Sequence, residues 1–490
     1  MPEGIGPGAP LGRRRLACAL AGGTALFFAL GAWRYAHWHA SVNDLGIYLH
    51  ALWLISHGHL LARNSLLPGN LPTLGDTFSL VWYPLAPLVR HLGGVWFLLA
   101  LQAACLAAFA GLIAVLAARR TGSERLGWLF GLLAFTSATV WDLALFDVHP
   151  DAMALPLLAI LLLWEAEHGR RVGWALAAVA LLLFKDELAL VLALYGVALL
   201  LRRRHRRGAM ALVLGGAWLF AVEGILIPRL TGGLDIHLAA YAAYGTSMTQ
   251  VALTVLAHPW VVLEAAVRHP RYLLLLLGPV AFAPVLRPVR SLPGIGIAVM
   301  NLLSSFHAQT NVLSQYSAFC LPFFYAAMID AVPLYRRMAA RLGREAVTGY
   351  LVLAAGGALG VALVFRLLPV LPVTGSMALS QAQTLIPARA PLVTQDSLLV
   401  QSLADRPVIL TWSALLGGQL PRRGPVYYLY APRVRDIRVE PRSAMRAFVA
   451  AGDRQGRLRT LYRHDGVMLL VSRSAPRPGW FEATGAGPRR

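Results

Sequence analysis

Apolar runs of helical length, parted by short arginine clusters, leave this chain few ways to fold outside a bilayer. About eleven such runs can be drawn, near residues 16–36, 94–117, 126–142, 152–165, 172–185, 187–201, 209–228, 272–286, 291–306, 315–334 and 347–369. Three of them, 152–165, 172–185 and 272–286, are short for a hydrocarbon core of about 30 Å and read as buried, tilted or half-inserted. A mean hydropathy of +0.60 belongs to no ordinary water-soluble domain of this size, so the expected class is an all-α polytopic membrane protein.

The arginines orient the chain. With the amino terminus inside, Arg119, Arg120, Arg125, Arg170, Arg171, Arg202, Arg203, Arg204, Arg206, Arg207, Arg287, Arg290, Arg336, Arg337, Arg341 and Arg344 all become cytoplasmic. The same topology places residues 37–93, 142–151, the 185–187 corner, 229–271, 307–314 and everything after about 370 outside the plasma membrane. The formal net charge of +21 is then the inside bias of a membrane protein, and nucleic acid is not an expected partner.

Three regions follow: a cytoplasmic tail at 1–15, a multi-span domain at 16–371 with a long outer loop at 37–93, and an external domain with its tail at 372–490. The first run follows Arg13-Arg14-Arg15 as a signal peptide would, but it is long and lacks a small-residue cleavage pattern, so an uncleaved span is expected. In the outer loop, Leu45, Leu49, Leu52 and Ile55 recur at helical spacing, which predicts a helix lying along the membrane surface. Beyond 372, alternating runs at 408–412, 426–430 and 467–471 and a helical stretch near 444–451 predict a small α/β domain. Cys18, Cys105 and Cys320 lie in apolar stretches and read as packing residues. No phosphate-binding loop, zinc-spaced Cys/His set or Gly-x-Ser-x-Gly turn is present, so the soluble ATPase and hydrolase classes have no support in the sequence.

Four acidic or acid-histidine clusters interrupt the apolar pattern, all on the expected outer side: Asn43-Asp44, Gly75-Asp76, Asp147-Val148-His149-Pro150-Asp151 and Lys185-Asp186-Glu187. Ionisable groups at a membrane edge are costly unless paired or at work. Asp44, beside Tyr48, His50 and Trp53, is the first candidate for a base that deprotonates a hydroxyl acceptor; a helix N-cap is its other reading. Asp76 reads as an Asx-turn residue or as a second carboxylate facing Asp44 or a divalent cation. Asp147, His149 and Asp151 could hold a hard divalent metal, Mg2+ or Mn2+, or a pyrophosphate through it. Lys185 is the only lysine in the chain, and it reads either as a contact for a lipid-linked phosphate, anchored by Asp186 or Glu187, or as part of a buried ion pair. His307, Gln309, Asn311, Gln315 and Tyr316 add a polar patch on the same side.

Taken in order, Asp44-Leu45-Gly46-Ile47-Tyr48 with Ala51-Leu52-Trp53, Gly75-Asp76-Thr77-Phe78-Ser79, Phe146-Asp147-Val148-His149-Pro150-Asp151 and Lys185-Asp186-Glu187 resemble domain of unknown function 2079. That membrane-protein family looks like part of the GT-C glycosyltransferase superfamily. The resemblance implies a multi-span transferase that takes sugars from polyprenyl-phosphate carriers at the external face, with a catalytic aspartate in the first outer loop, the place of Asp44. In metal-dependent members of that superfamily, outer-loop acids bind a cation, a role the resemblance would carry to Asp76, Asp147 and Asp151. The chain departs from the pattern at Thr77 and Gln315, where histidine is usual, and at His50, where an amide is usual; two candidate metal ligands are thereby lost.

The function expected is an integral membrane glycosyltransferase moving a sugar from a polyprenyl-phosphate donor to an external glycan, lipid or protein acceptor. Asp44 would be the base, with Tyr48, His50, Trp53, Lys185, Asp186, Glu187, His307 and Tyr316 as substrate-binding residues. A lipid or glycolipid flippase or transporter is the rival reading, opposed by carboxylates confined to one side. A non-catalytic scaffold is the third.

Overall fold

The computed structural model describes residues 11–67, 70–165, 167, 170–233, 237–342, 350, 356–357, 360, 363–364, 376–402, 406, 408–416, 421, 424–432, 434, 442–477 and 480. The chain divides into two compact bodies, one formed by 1–30, 77–81 and 99–369, the other by 31–76, 82–98 and 370–490. Along the chain run α1 (Arg13–Ala36), α2 (Ile47–Ser56), α3 (Thr73–Asp76), α4 (Trp82–His91), α5 (Val95–Thr121), α6 (Glu124–Phe135), α7 (Ala138–Leu145), α8 (Pro150–Trp164) and α9 (Arg171–Leu182). They are followed by α10 (Glu187–Leu201), α11 (His205–Ala221), α12 (Ile227–Thr231), α13 (Met248–Ala257), α14 (Trp260–Arg268), α15 (Pro270–Leu277), α16 (Ala283–Leu286), α17 (Pro288–Leu303) and α18 (Leu321–Leu342).

In the first body, four continuous helical stretches among the described residues are long and apolar enough to cross a bilayer: 13–36, 95–121, 205–231 and 315–341. The pairs α6/α7, bent by 50°, and α13/α14, bent by 97°, raise the number to six if each pair is one span. The expected count of about eleven is not confirmed among the described residues; 150–164, 171–182, 187–201 and 288–303 are apolar but shorter helices. The expected span at 272–286 is broken, because Pro279 and Pro284 withhold amide donors and Ala281 and Phe282 adopt left-handed backbone. The expected span at 347–369 lies largely outside the described residues. Conversely, part of the 229–271 stretch, read as an outer loop, folds into α13 and α14, with Ser247 capping α13 by accepting from Gln250 N at 3.2 Å.

One large apolar core joins α5 to α10, α17 and α18 through residues such as Phe109, Leu143, Leu155, Leu192 and Phe323. α10 and α11 pack backbone to backbone. A Cβ on Gly196 would lie 2.4 Å from Leu212 N, and one on Gly215 would lie 2.5 Å from Ala193 N, so only glycine permits this approach. Val213 and Phe220 on α11 stay exposed, 67% and 69%, which is the apolar face a bilayer covers.

The second body joins residues 31–76 and 82–98 to the carboxy-terminal residues. Its sheet has the order β2-β1-β3-β5-β4, from β1 (Leu392–Thr394), β2 (Ile409–Thr411), β3 (Val426–Tyr430), β4 (Leu458–His464) and β5 (Val467–Ser472). The first three strands are parallel, and β5 runs antiparallel to β3 and β4. Trp412, Tyr428 and Phe448 fill one face, the last from the amphipathic helix Arg442–Arg454. On the other face Trp38 packs with Leu392, Leu429 and Leu469, and Ser65 Oγ donates to Ile409 O at 2.9 Å.

Candidate functional site

In the first body the charged corner is built by helix starts. α8 begins at Pro150, whose fixed φ and missing amide donor suit a first helical position, so Asp151 falls in the first turn. α9 ends at Leu182, and α10 begins at Glu187, which leaves Lys185 and Asp186 in the break between two apolar helices. Acidic residues in both first turns complement the positive helix ends. Lys185 Nζ lies 3.1 Å from Asp151 Oδ1 and 3.2 Å from Glu187 Oε2. The ammonium also stands 5.6 Å from the Tyr316 ring centroid and 5.8 Å from that of Phe319. Asp186 turns the other way and accepts from Phe78 N at 3.1 Å. Two carboxylates, Asp151 and Glu187, therefore hold the ammonium, while Asp186 is directed to the Phe78 amide.

Neighbouring contacts make the corner rigid. Gln102, 3% exposed, donates to Leu143 O at 2.7 Å and to Asp147 O at 3.2 Å, and its Oε1 accepts from His149 N at 2.8 Å. A buried glutamine satisfied on three sides fixes the turn that carries Asp147 and His149, and the His149 ring stacks on Phe146 at 5.7 Å. Asn301 Nδ2 donates to Tyr316 O at 3.1 Å, anchoring the aromatic face under Lys185. The sequence pattern did not reveal Gln102 or Asn301, since a lone amide in an apolar run carries no periodic signal. His307 is exposed, and its carbonyl accepts from Thr310 Oγ1 at 3.3 Å.

In the second body Asp44 sits in a π-helical turn, Val42–Gly46, ahead of α2. The residue at the N-cap of α2 is Gly46, so the capping reading of Asp44 does not hold for that helix. Asp76 is the last residue of the single-turn α3. Tyr48 stacks on Trp82 at 4.6 Å, and Trp53 stacks on His57 at 4.3 Å. His50 is fully buried, and its Nδ1 meets Asn64 Oδ1 at 2.9 Å. Asn64 Nδ2 donates to Ile47 O and its Oδ1 accepts from Leu66 N, so the amide orientation is set and His50 Nδ1 must be the donor. Burial holds the His50 imidazole below its ordinary value, against a smaller opposing effect of that hydrogen bond.

The charge distribution differs from expectation on one point. At the far end of α8, Glu165 lies 2.5 Å from Arg290 and 2.7 Å from Arg202, and it accepts from the Tyr195 hydroxyl at 3.0 Å. Asp330 in turn holds Arg290 at 3.0 Å and Arg120 at 2.9 Å. Buried carboxylates thus flank both ends of α8 and are not confined to one side.

For a metal, no three His, Cys, Asp or Glu side chains converge as ligands among the described residues. Asp151, one of the four expected ligands, is turned to the Lys185 ammonium. Among the described residues the arrangement does not fit a bound divalent cation.

Over nearly its whole length the chain resembles a solved structure. The crystal structure of ArnT from Cupriavidus metallidurans bound to undecaprenyl phosphate superposes with a TM-score of 0.51 at 15% identity, covering 91% of this chain and 97% of that one. Apo ArnT from the same organism gives 0.39 at 15% identity, with coverages of 92% and 98%. The first likeness shows a shared fold. No curated protein sequence matches. The family described as "Predicted membrane protein (DUF2079)" matches residues 37–414, more than three quarters of the chain, and this protein accordingly belongs to the DUF2079 family.

Proposed function

We propose that this protein is an integral-membrane glycosyltransferase of the GT-C kind, transferring a sugar from a polyprenyl-phosphate donor to an acceptor outside the plasma membrane. The observation that carries the proposal is the fold shared with ArnT, which was crystallised bound to undecaprenyl phosphate. The lone lysine, held at a break between apolar helices with an aromatic face against it, supports a donor-phosphate contact at Lys185. Asp44 is the proposed base, carried over from the family resemblance. In the reaction, Asp44 takes the proton of the acceptor hydroxyl, whose oxygen then bonds to the anomeric carbon. The anomeric carbon–oxygen bond to phosphate breaks with its electron pair, and Lys185 stabilises the charge gathering on the departing polyprenyl phosphate. The amino terminus lies inside and the carboxy-terminal body outside in this proposal, as the arginine pattern requires.

Two competing readings each have a specific observation in their favour. The two carboxylates at Lys185 suit an ion pair that merely holds α8 to α10. Charges at both ends of α8 suit a substrate pathway through a transporter. Transfer of radiolabelled sugar by the reconstituted full chain, from a panel of polyprenyl-phosphate donors, separates them. Asp44→Asn should lower transfer by about 10²-fold or more. Lys185→Met should raise the donor KM, whereas a purely structural pair would cost stability and leave KM alone. A chelator arm tests the metal expectation. Unchanged transfer by folded Asp44→Asn ends the base assignment, and silence with every donor moves the weight to the transporter.

A further inference from the structure

We propose that the corner between α14 and α15 is a binding site for the phosphate headgroup of an anionic lipid, separate from the sugar donor. The chain turns there at His269 and Pro270 and opens on a cavity of about 440 Å³, whose walls include Arg268, His269, Arg271, Tyr272, Thr310 and Asn311. That volume suits a small ligand or a headgroup. None of the ten lining residues is acidic. The nearby counter-charge is Glu264, 3.3 Å from Arg268, but both side chains are about 60% exposed, so the pair is weak and easily exchanged. Arg271 is exposed and forms no ion pair among the described residues. Two guanidinium forks, with the Asn311 amide beside them, match the acceptor oxygens of a phosphate.

The lipid source follows from the helices that carry the arginines. Leu263, Val267 and Leu274 on α14 and α15 are exposed by 68%, 72% and 60%, an apolar surface that acyl chains cover in a bilayer. Cationic side chains beside such a surface are the usual recognition of an anionic headgroup. The rear wall is firm: Tyr272 OH accepts from Asn301 Nδ2 at 2.9 Å and lies 3.2 Å from Ser317 Oγ. Asn301 also donates to Tyr316 O at 3.1 Å, which ties this wall to the segment beneath Lys185. The site does not depend on the transferase reading, since its test is binding rather than turnover.

The full chain in detergent is titrated with short-chain phosphatidic acid, phosphatidylcholine and inorganic phosphate, followed by native mass spectrometry. Wild type should bind phosphatidic acid saturably and phosphatidylcholine far more weakly. Arg271→Gln should weaken phosphatidic acid binding roughly fivefold and Arg268→Gln with Arg271→Gln roughly 30-fold. Arg459→Gln, an equal loss of charge on the exposed side of β4, should change nothing. Unchanged affinity in the folded double variant overturns the site. Equal binding of phosphatidylcholine overturns the charge recognition, and competition by inorganic phosphate at the same concentration overturns the assignment to a lipid.

Discussion

Replacing Glu165 with Gln tests whether the ionic network at the end of α8 holds the helices together. The carboxylate is 2% exposed and faces Arg290, whose own side chain is 4% exposed, so neither charge can be rescued by water. Breaking a buried pair by removing one partner costs about 3–5 kcal/mol. Two features reduce that figure here. Arg290 keeps Asp330 at 3.0 Å, and Arg202, the second partner of Glu165, is 29% exposed and can turn to solvent. Against this, Asp330 would be left to balance Arg120 and Arg290 alone, and Tyr195 would lose a charged acceptor. The expected loss is about 2–4 kcal/mol. It is measured as loss of monodisperse protein on heating in detergent, with a double-mutant cycle against Arg290→Met to isolate the pair. A coupling of about 1 kcal/mol or more is expected. α8 has 15 residues, about 22 Å of helix, so the substitution sits far from Lys185 and should leave donor KM unaltered in the folded fraction. A loss below about 0.5 kcal/mol with additive single variants would refute the argument, because an exposed pair behaves that way.

Gly196→Val should abolish the folded yield or shift α11, since the added Cβ would meet Leu212 N at 2.4 Å; Gly216→Ala, whose Cβ meets nothing within 4 Å, should be tolerated, and equal yields of the two would contradict the packing. His50 titrates below its unfolded value of about 6.5, so the unfolded chain binds the proton first as pH falls. The second body should therefore be at full stability above about pH 6.5 and lose up to about 1.4 kcal/mol per pH unit below it, and a His50→Gln variant whose denaturation midpoint fell just as steeply would exclude this imidazole as the source.

Much of the local order is legible from residue pattern. The helix after Asp44, three of the five strands and the amphipathic helix near 442–454 follow from periodicity, because alternation and 3.6-residue spacing are properties of neighbouring residues. β1 and β4 escaped. β1 is three wholly buried residues, too short for a pattern, and β4 is largely exposed, with arginines where an edge strand favours charge.

The sequence by itself determined that the chain lives in a membrane, which family it resembles and that Lys185 is chemically singular, since each depends on composition or on short ordered motifs. Only the tertiary structure decided which charges meet. Asp151 reaches Lys185 across 34 residues, Glu165 reaches Arg290 across 125, and Ser65 meets Ile409 across 344. Such contacts are set by helix length, crossing and close glycine packing, which act between elements and leave no mark on the spacing within any one of them. The same holds for the broken spans: hydropathy measures how apolar a stretch is, whereas proline, left-handed residues and bends decide how much of it is one helix.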